Sequence, residues 1–238
     1  MAKNHFKFKK FIVYQQNAGM KICTDSCLFG AWVAARIGNT ATKTILDIGT
    51  GTGLLSLMLA QKSSAEIFAV ELENAASTDA AKNFEISMWQ ERLHLLPGDI
   101  RQLSLQHNMD LIICNPPFYD QALEPESEHR KMSMHSLTLS FQNLVEIAGR
   151  LLSPHGSFAV MTPYFRSNEF LHMVEKISLY PAEICNVRQT VHHNYFRTLI
   201  LFSHELTELK TYEISIRDAK NCYTAEFISI LKDYYLQF

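Results

Sequence analysis

Asp47-Ile48-Gly49-Thr50-Gly51-Thr52-Gly53 sets one carboxylate directly before three glycines at alternate positions. Glycines there let a backbone turn sharply and come close to a ligand. The spacing is not a dinucleotide fingerprint, whose last glycine is replaced here by Leu54, and no Gly-Lys-Ser/Thr follows as in a phosphate-binding loop. An acid in front of such a turn repels a pyrophosphate but accepts hydrogen bonds from an ammonium group. The ligand this chemistry suits is a nucleoside carrying an amino acid, such as S-adenosylmethionine. Glu71 stands at the end of the next strand signal, where a carboxylate can take both ribose hydroxyls. Asp99, in Pro97-Gly98-Asp99-Ile100, can accept from an adenine amino group.

Asn115-Pro116-Pro117-Phe118 is the sharper signal. The Asn115 side-chain carbonyl and the backbone carbonyl of Pro116 can both accept from one NH2 group. The prolines fix those acceptors and add no competing N–H. An exocyclic amine on adenine is a poor nucleophile because its lone pair is delocalised into the ring. Two acceptors favour a pyramidal nitrogen whose lone pair is free to attack a methyl group. Phe118 then supplies a face for a base taken out of its stack.

Elements must bring these segments to one place. Thr24-Asp25-Ser26 supplies capping residues for a helix with Leu28, Phe29, Trp32 and Val33 at helical spacing and Gly38 as its stop. Strand and helix signals then alternate. Strands are expected at 44–48, 66–70, 93–96, 109–114 and 157–162, with helices at 54–61, 74–89, 139–152 and 167–179. Two closing strands, 182–189 and 197–203, lack a helix between them, so one is antiparallel. Residues 119–136 read as a loop, with a lid over the pocket as its functional version. Residues 212–217 and a helix over 224–235 read as a C-terminal addition. Such alternation implies an α/β, doubly wound, mainly parallel sheet with each glycine or proline turn at a strand's carboxyl end.

Composition narrows the class. The 238 residues are 47% hydrophobic and 19% charged, which excludes general disorder. No apolar run approaches the roughly 18 residues of a membrane helix, and the first residues lack a signal peptide's apolar core. Five cysteines without regular spacing make a disulfide framework unlikely as an organising principle, so the chain reads as soluble and cytoplasmic. Cys23 and Cys27 lack the third cysteine of a radical-type cluster, because Gly30 stands there, and no histidine pair has metal-site spacing, so no metal is expected. Residues 1–24 carry five lysines and no acid, against −7 for the remainder. A basic arm on an acidic body permits a polyanionic partner.

Taken together these residues resemble class I S-adenosylmethionine-dependent methyltransferases that methylate amino groups. More closely, the chain is similar to the bacterial family that methylates N6 of adenine 37 in valine tRNA. The resemblance runs from Phe8-Lys9-Lys10-Phe11-Ile12-Val13, Met20-Lys21 and Thr24-Asp25, through Asp47–Gly53, Glu71, Asp99 and Asn115–Phe118. It continues to Arg197 before Leu199-Ile200-Leu201-Phe202 and to Tyr223-Thr224. It implies a seven-stranded Rossmann-like sheet with one antiparallel strand. Residues 1–38 would form a basic arm and helix, and 39–238 one compact methyltransferase unit. It further implies that Asp47, Gly49 and Gly51 hold the methionine end of the cofactor, Glu71 the ribose and Asp99 the adenine. Thr24 would lie near the cofactor carboxylate, Asn115, Pro116 and Phe118 would be catalytic, and Asn115 would also contact the cofactor. The RNA contacts expected are Lys7, Lys9, Lys10 and Lys21, with Arg130 and Arg197 at the mouth. The segment departs from the family at Cys23 and Ser26, where glycines are expected, and at Met134, where a second arginine is. Two rival activities share much of this pattern: protein glutamine N5-methylation, and RNA binding without catalysis on the same fold.

Overall fold

The computed structural model describes residues 4–38, 41–105, 108–116 and 139–238. Eight strands form one sheet: β3 (Thr44–Ile48), β4 (Glu66–Glu71), β5 (Leu93–Pro97), β6 (Met109–Cys114), β7 (Leu152–Pro163), β8 (Tyr180–Thr190), β9 (Tyr195–Ser203) and β10 (Lys210–Arg217). Their order across the sheet is β10-β8-β9-β7-β6-β3-β4-β5. Only β9 runs against its neighbours, pairing antiparallel with β7 and β8.

The central strands are buried on both faces, as parallel strands covered by crossover helices must be. Within β3, Ile45 joins one apolar cluster while Leu46 and Ile48 join the other. The alternation repeats in β6, where Leu111 and Ile113 face one side and Ile112 and Cys114 the other. Helix α1 (Thr24–Ile37), α2 (Leu54–Ala60) and the late helix α6 (Ala225–Leu231) cover the first side. Helices α4 (Phe141–Leu151) and α5 (Ser167–Glu175) cover the second. A sixth helix, α3 (Asn74–Glu85), links β4 to β5.

Three expectations need correcting. The sheet has eight strands rather than seven, because β10 is no appendage. It lies parallel to β8 from Lys210↔Glu183 to Arg217↔Thr190 and buries Ile214 and Ile216. Its polar alternation, one face only, is that of an edge strand, which a search for apolar runs undervalues. Residues 153–156 also do not end a helix in a loop: β7 starts at Leu152 and runs through them. Helices α3 and α5 stop four residues short of the expected ends, at Glu85 and Glu175.

The lysine-rich start is tied down. Strands β1 (His5–Lys7) and β2 (Ile12–Tyr14) form a short hairpin that buries Phe8, Phe11 and Val13. Lys9 donates from its backbone to Tyr234 and from Nζ to the backbone oxygens of Lys232 (2.5 Å) and Phe238 (2.6 Å). No described helix is long and apolar enough to cross a membrane.

Candidate functional site

The parallel register brings four strand ends level. Ile48 pairs with both Val70 and Cys114, and Glu71 pairs with Pro97. Gly49, Leu72, Gly98 and Asn115 therefore leave the sheet on one edge, where open α/β sheets bind ligands. A cleft of about 560 Å³ opens there, walled by Gly49, Gly51, Glu71, Asp99, Asn115 and Pro116 among others.

The glycine turn is built for close approach. Gly49 and Gly51 have φ of +69° and +59°, and a Cβ on either would meet no atom within 4 Å, so their bare backbone borders open space. The N–H groups of Gly49 and Thr50 donate to Val70 at 2.9 and 3.0 Å, pinning the turn to β4. Glu71 braces it further. One of its carboxylate oxygens accepts from Gly51 N–H and the other from Glu73 N–H, both at 2.8 Å.

Asp47 sits beneath this turn, fully buried, and is not itself part of the cleft wall. Its Oδ2 accepts from the Thr50 hydroxyl (2.6 Å) and from the Ser56 hydroxyl and N–H (2.7 and 3.2 Å), while Oδ1 has no partner. Burial pushes its carboxyl up to about 6, against the pull of those donors. A buried acceptor left open beside a ligand turn suits a cationic or N–H-bearing ligand. With the open glycine cradle and the Glu71 and Asp99 carboxylates, the residues present fit S-adenosylmethionine.

This burial has a pH consequence. From about pH 4 to about 6 the folded protein holds the Asp47 proton more tightly than the unfolded chain, so stability is lost as pH rises through that window. The contribution is up to about 3 kcal/mol. Asp99, Glu169 and Asp233 are held below their usual range by arginine or lysine partners and act in the opposite sense. Urea unfolding of the cofactor-free protein and its Asp47→Asn variant, compared across this range, isolates the Asp47 part. The variant is expected to flatten the fall, and parallel profiles would show that Asp47 titrates as an ordinary acid.

Asp99 is already engaged. Arg101 grips it with Nε at 2.9 Å from both oxygens and a terminal nitrogen at 2.6 Å, which holds the carboxyl below its usual range. Both residues border the cleft, so the acid meets a ligand as half of an ion pair. Thr24 is in the first turn of α1 and does not wall the cleft. Its neighbour Asp25 instead accepts from Arg197 Nε at 2.9 Å. Lys21 turns its Nζ back onto the carbonyls of Gln15 (2.5 Å) and Ala18 (3.0 Å), whereas Lys7 and Lys10 are exposed. Pro117, Phe118, Arg130 and the whole 119–136 loop lie outside the described residues.

Sequence reasoning missed one wall. Ala18 and Met20 border the cleft, carried there by a segment fastened to α3. Asp79 accepts from the N–H groups of Asn17 and Ala18 (2.8 and 2.9 Å) and from the Asn17 side chain (2.9 Å). These partners are more than 60 residues apart, so no local spacing announces them. Among the described residues no cluster of histidine, cysteine and acid could hold a metal ion.

The methyltransferase small domain family matches residues 31–178. The tRNA1(Val) (adenine(37)-N6)-methyltransferase of Flavobacterium psychrophilum is 37% identical over 98% of this chain and 99% of its own length. Among solved structures, a predicted O-methyltransferase from Agrobacterium tumefaciens superposes with a TM-score of 0.61 at 13% identity, covering 87% of this chain and 95% of its own. A T. thermophilus 16S rRNA N2-guanosine methyltransferase, solved with AdoMet and guanosine, gives 0.56 at 20% identity over 84% of this chain and 50% of its own. The fold is that of the S-adenosylmethionine-dependent enzymes, and by its full-length likeness the chain belongs to the tRNA1(Val) (adenine(37)-N6)-methyltransferase family.

Proposed function

We propose that this protein transfers a methyl group from S-adenosylmethionine to N6 of an adenine in tRNA, adenine 37 beside the anticodon of valine tRNA. The observation that carries the reading is Asn115-Pro116 at the carboxyl end of β6, opening on the same cleft as Gly49, Gly51 and Glu71. When bound, the cofactor supplies an electrophilic methyl group. The chain's own residues do the rest by position. Asn115 and the Pro116 carbonyl accept the two N–H groups of the adenine amine and turn its lone pair toward the methyl group. Phe118 stacks on the base, and the departing proton leaves to water. Catalysis is then mainly alignment and electrostatics, with no covalent intermediate on the protein. Nucleoside mass spectrometry of tRNA from cells with and without the protein tests this. N6-methyladenosine in the valine tRNA loop should vanish on deletion, and an unchanged modification would overturn the reading.

The arm's lysines divide by their surroundings. All four are exposed, but Lys9 and Lys21 spend their ammonium groups on backbone carbonyls, which leaves Lys7 and Lys10 the better suited to phosphates. Each phosphate contact to a single strand gives a slope of about −0.7 in log affinity against log salt. Lys7→Ala with Lys10→Ala should therefore flatten the slope for tRNA by about 1.4 and leave cofactor affinity unchanged. Lys9→Ala should instead lower thermal stability. A salt titration of tRNA binding decides it: an unchanged slope in the double variant removes the arm from the RNA surface.

A further inference from the structure

The same carboxyl edge of the sheet carries aromatic rings that the reaction does not use, Phe165 and Tyr164 exposed and Tyr195 half-buried. Cys114 at the end of β6 pairs with Val160, and β7 runs three residues further, to Pro163. Tyr164, Phe165 and Arg166 then form a single turn of 3₁₀ helix. No more than about 10 Å of chain separates Phe165 from Thr162. Phe165 is 75% exposed and Tyr164 41%, although Pro163 before them and Ser167 after them are buried. Phe165 therefore presents its ring to solvent from a firmly seated turn.

The rings extend from this turn. The Tyr164 and Tyr195 rings lie 5.1 Å apart, and the Arg188 guanidinium stands 5.4 Å over Tyr195. On the other side Arg166 lies 4.2 Å over Phe141, two residues past Leu139, which walls the cleft. The buried Phe141 thus ties this turn to the segment that begins at Leu139 on the cleft wall. The cations here are already balanced: Arg166 pairs with Glu169 (2.9 Å), Arg188 with Glu213 (2.5 Å) and Arg197 with Asp25 (2.9 Å). Tyr195 also donates its hydroxyl to Glu213. The surface offers flat π faces and guanidinium planes without net charge. His192, His193 and Asn194, which precede Tyr195 in the chain, are polar and exposed.

Flat faces of this kind suit unpaired nucleobases, which stack without regard to sequence. A base drawn into the cleft leaves its neighbours without a stacking partner, and that loss opposes capture. We propose that Phe165, backed by Tyr164 and Tyr195, is a stacking shelf for the unpaired bases flanking the target adenine. The proposal rests on the adenine-methylating reading and adds to it how the rest of the loop is held.

The test uses the full chain, saturating S-adenosylhomocysteine and an anticodon stem-loop RNA with 2-aminopurine beside the target adenine. Wild type is expected to quench this base on binding. Phe165→Ala should lower RNA affinity at least tenfold and abolish the quenching, with the salt slope and S-adenosylhomocysteine affinity unchanged. Phe165→Trp should keep affinity and quenching, and Phe165→Leu should behave like Ala, because the shelf needs a π face rather than apolar bulk. Wild-type affinity and quenching in both Ala and Leu variants would overturn the shelf alone. So would a Leu variant that restores everything, or a self-associated wild type that Phe165→Ala dissociates. A wild type that binds no loop RNA would overturn the shelf together with the reading beneath it.

Discussion

Asn115→Ala is expected to lose turnover by roughly a hundredfold or more while its affinity for S-adenosylmethionine barely moves. Asn115 emerges from the carboxyl end of β6, level with Gly49 and Gly98, and walls the same cleft. Removing its amide leaves the cofactor turn, Asp47 and Glu71 intact, because none of them bonds to Asn115. What is lost is the acceptor that aligns the amine as positive charge develops on its nitrogen, an interaction that strengthens in the transition state. Cofactor titration and single-turnover rates on one preparation separate the two effects. Wild-type turnover would refute the mechanism. A parallel loss of cofactor affinity would instead make Asn115 part of the cofactor wall.

The legible parts of this protein were those whose physics is local. A carboxylate before alternating glycines, or Asn before two prolines, constrains backbone and chemistry within seven residues. Apolar runs such as Ile67–Val70 and Leu111–Cys114 disclose strands buried on both faces. Strand β10 was less legible because it is half exposed, and its partner β8 is itself one of the late strands. Asp99 was legible as an acid in place, but not as an acid already held by Arg101 two residues on. Arg197 shows the same limit, since its ion pair with Asp25 joins residues 172 apart. Lys9 is an expected RNA contact by its charge and its place in the arm, whereas its ammonium donates to backbone carbonyls from the other end of the chain. For Arg197 and Lys9 the missing information was a long-range partner, and for Asp99 it was an ion pair two residues away.

Glu71 carries two duties, and its substitutions should pull them apart. Its carboxylate receives Gly51 N–H through one oxygen and Glu73 N–H through the other, so it shapes the turn that it also faces across the cleft. Each oxygen keeps a second lone pair for a ribose hydroxyl. Glu71→Ala removes the acceptors and the brace together and should weaken S-adenosylmethionine binding by about 1.5–3 kcal/mol, or roughly 10- to 150-fold. Glu71→Gln keeps one oxygen but presents an NH2 to the other N–H donor. It can therefore satisfy either Gly51 or Glu73 and should fall between Ala and wild type. If Glu71 only braces the turn, Gln and Ala should weaken binding in proportion to how far each lowers the unfolding temperature of the cofactor-free protein. If it also holds the ribose, Gln should lose affinity at nearly wild-type stability, and 2′-deoxy cofactor should bind wild type worse but the Ala variant no worse. Calorimetry with both cofactors decides between them, and unchanged affinity in Glu71→Ala would remove this residue from the site.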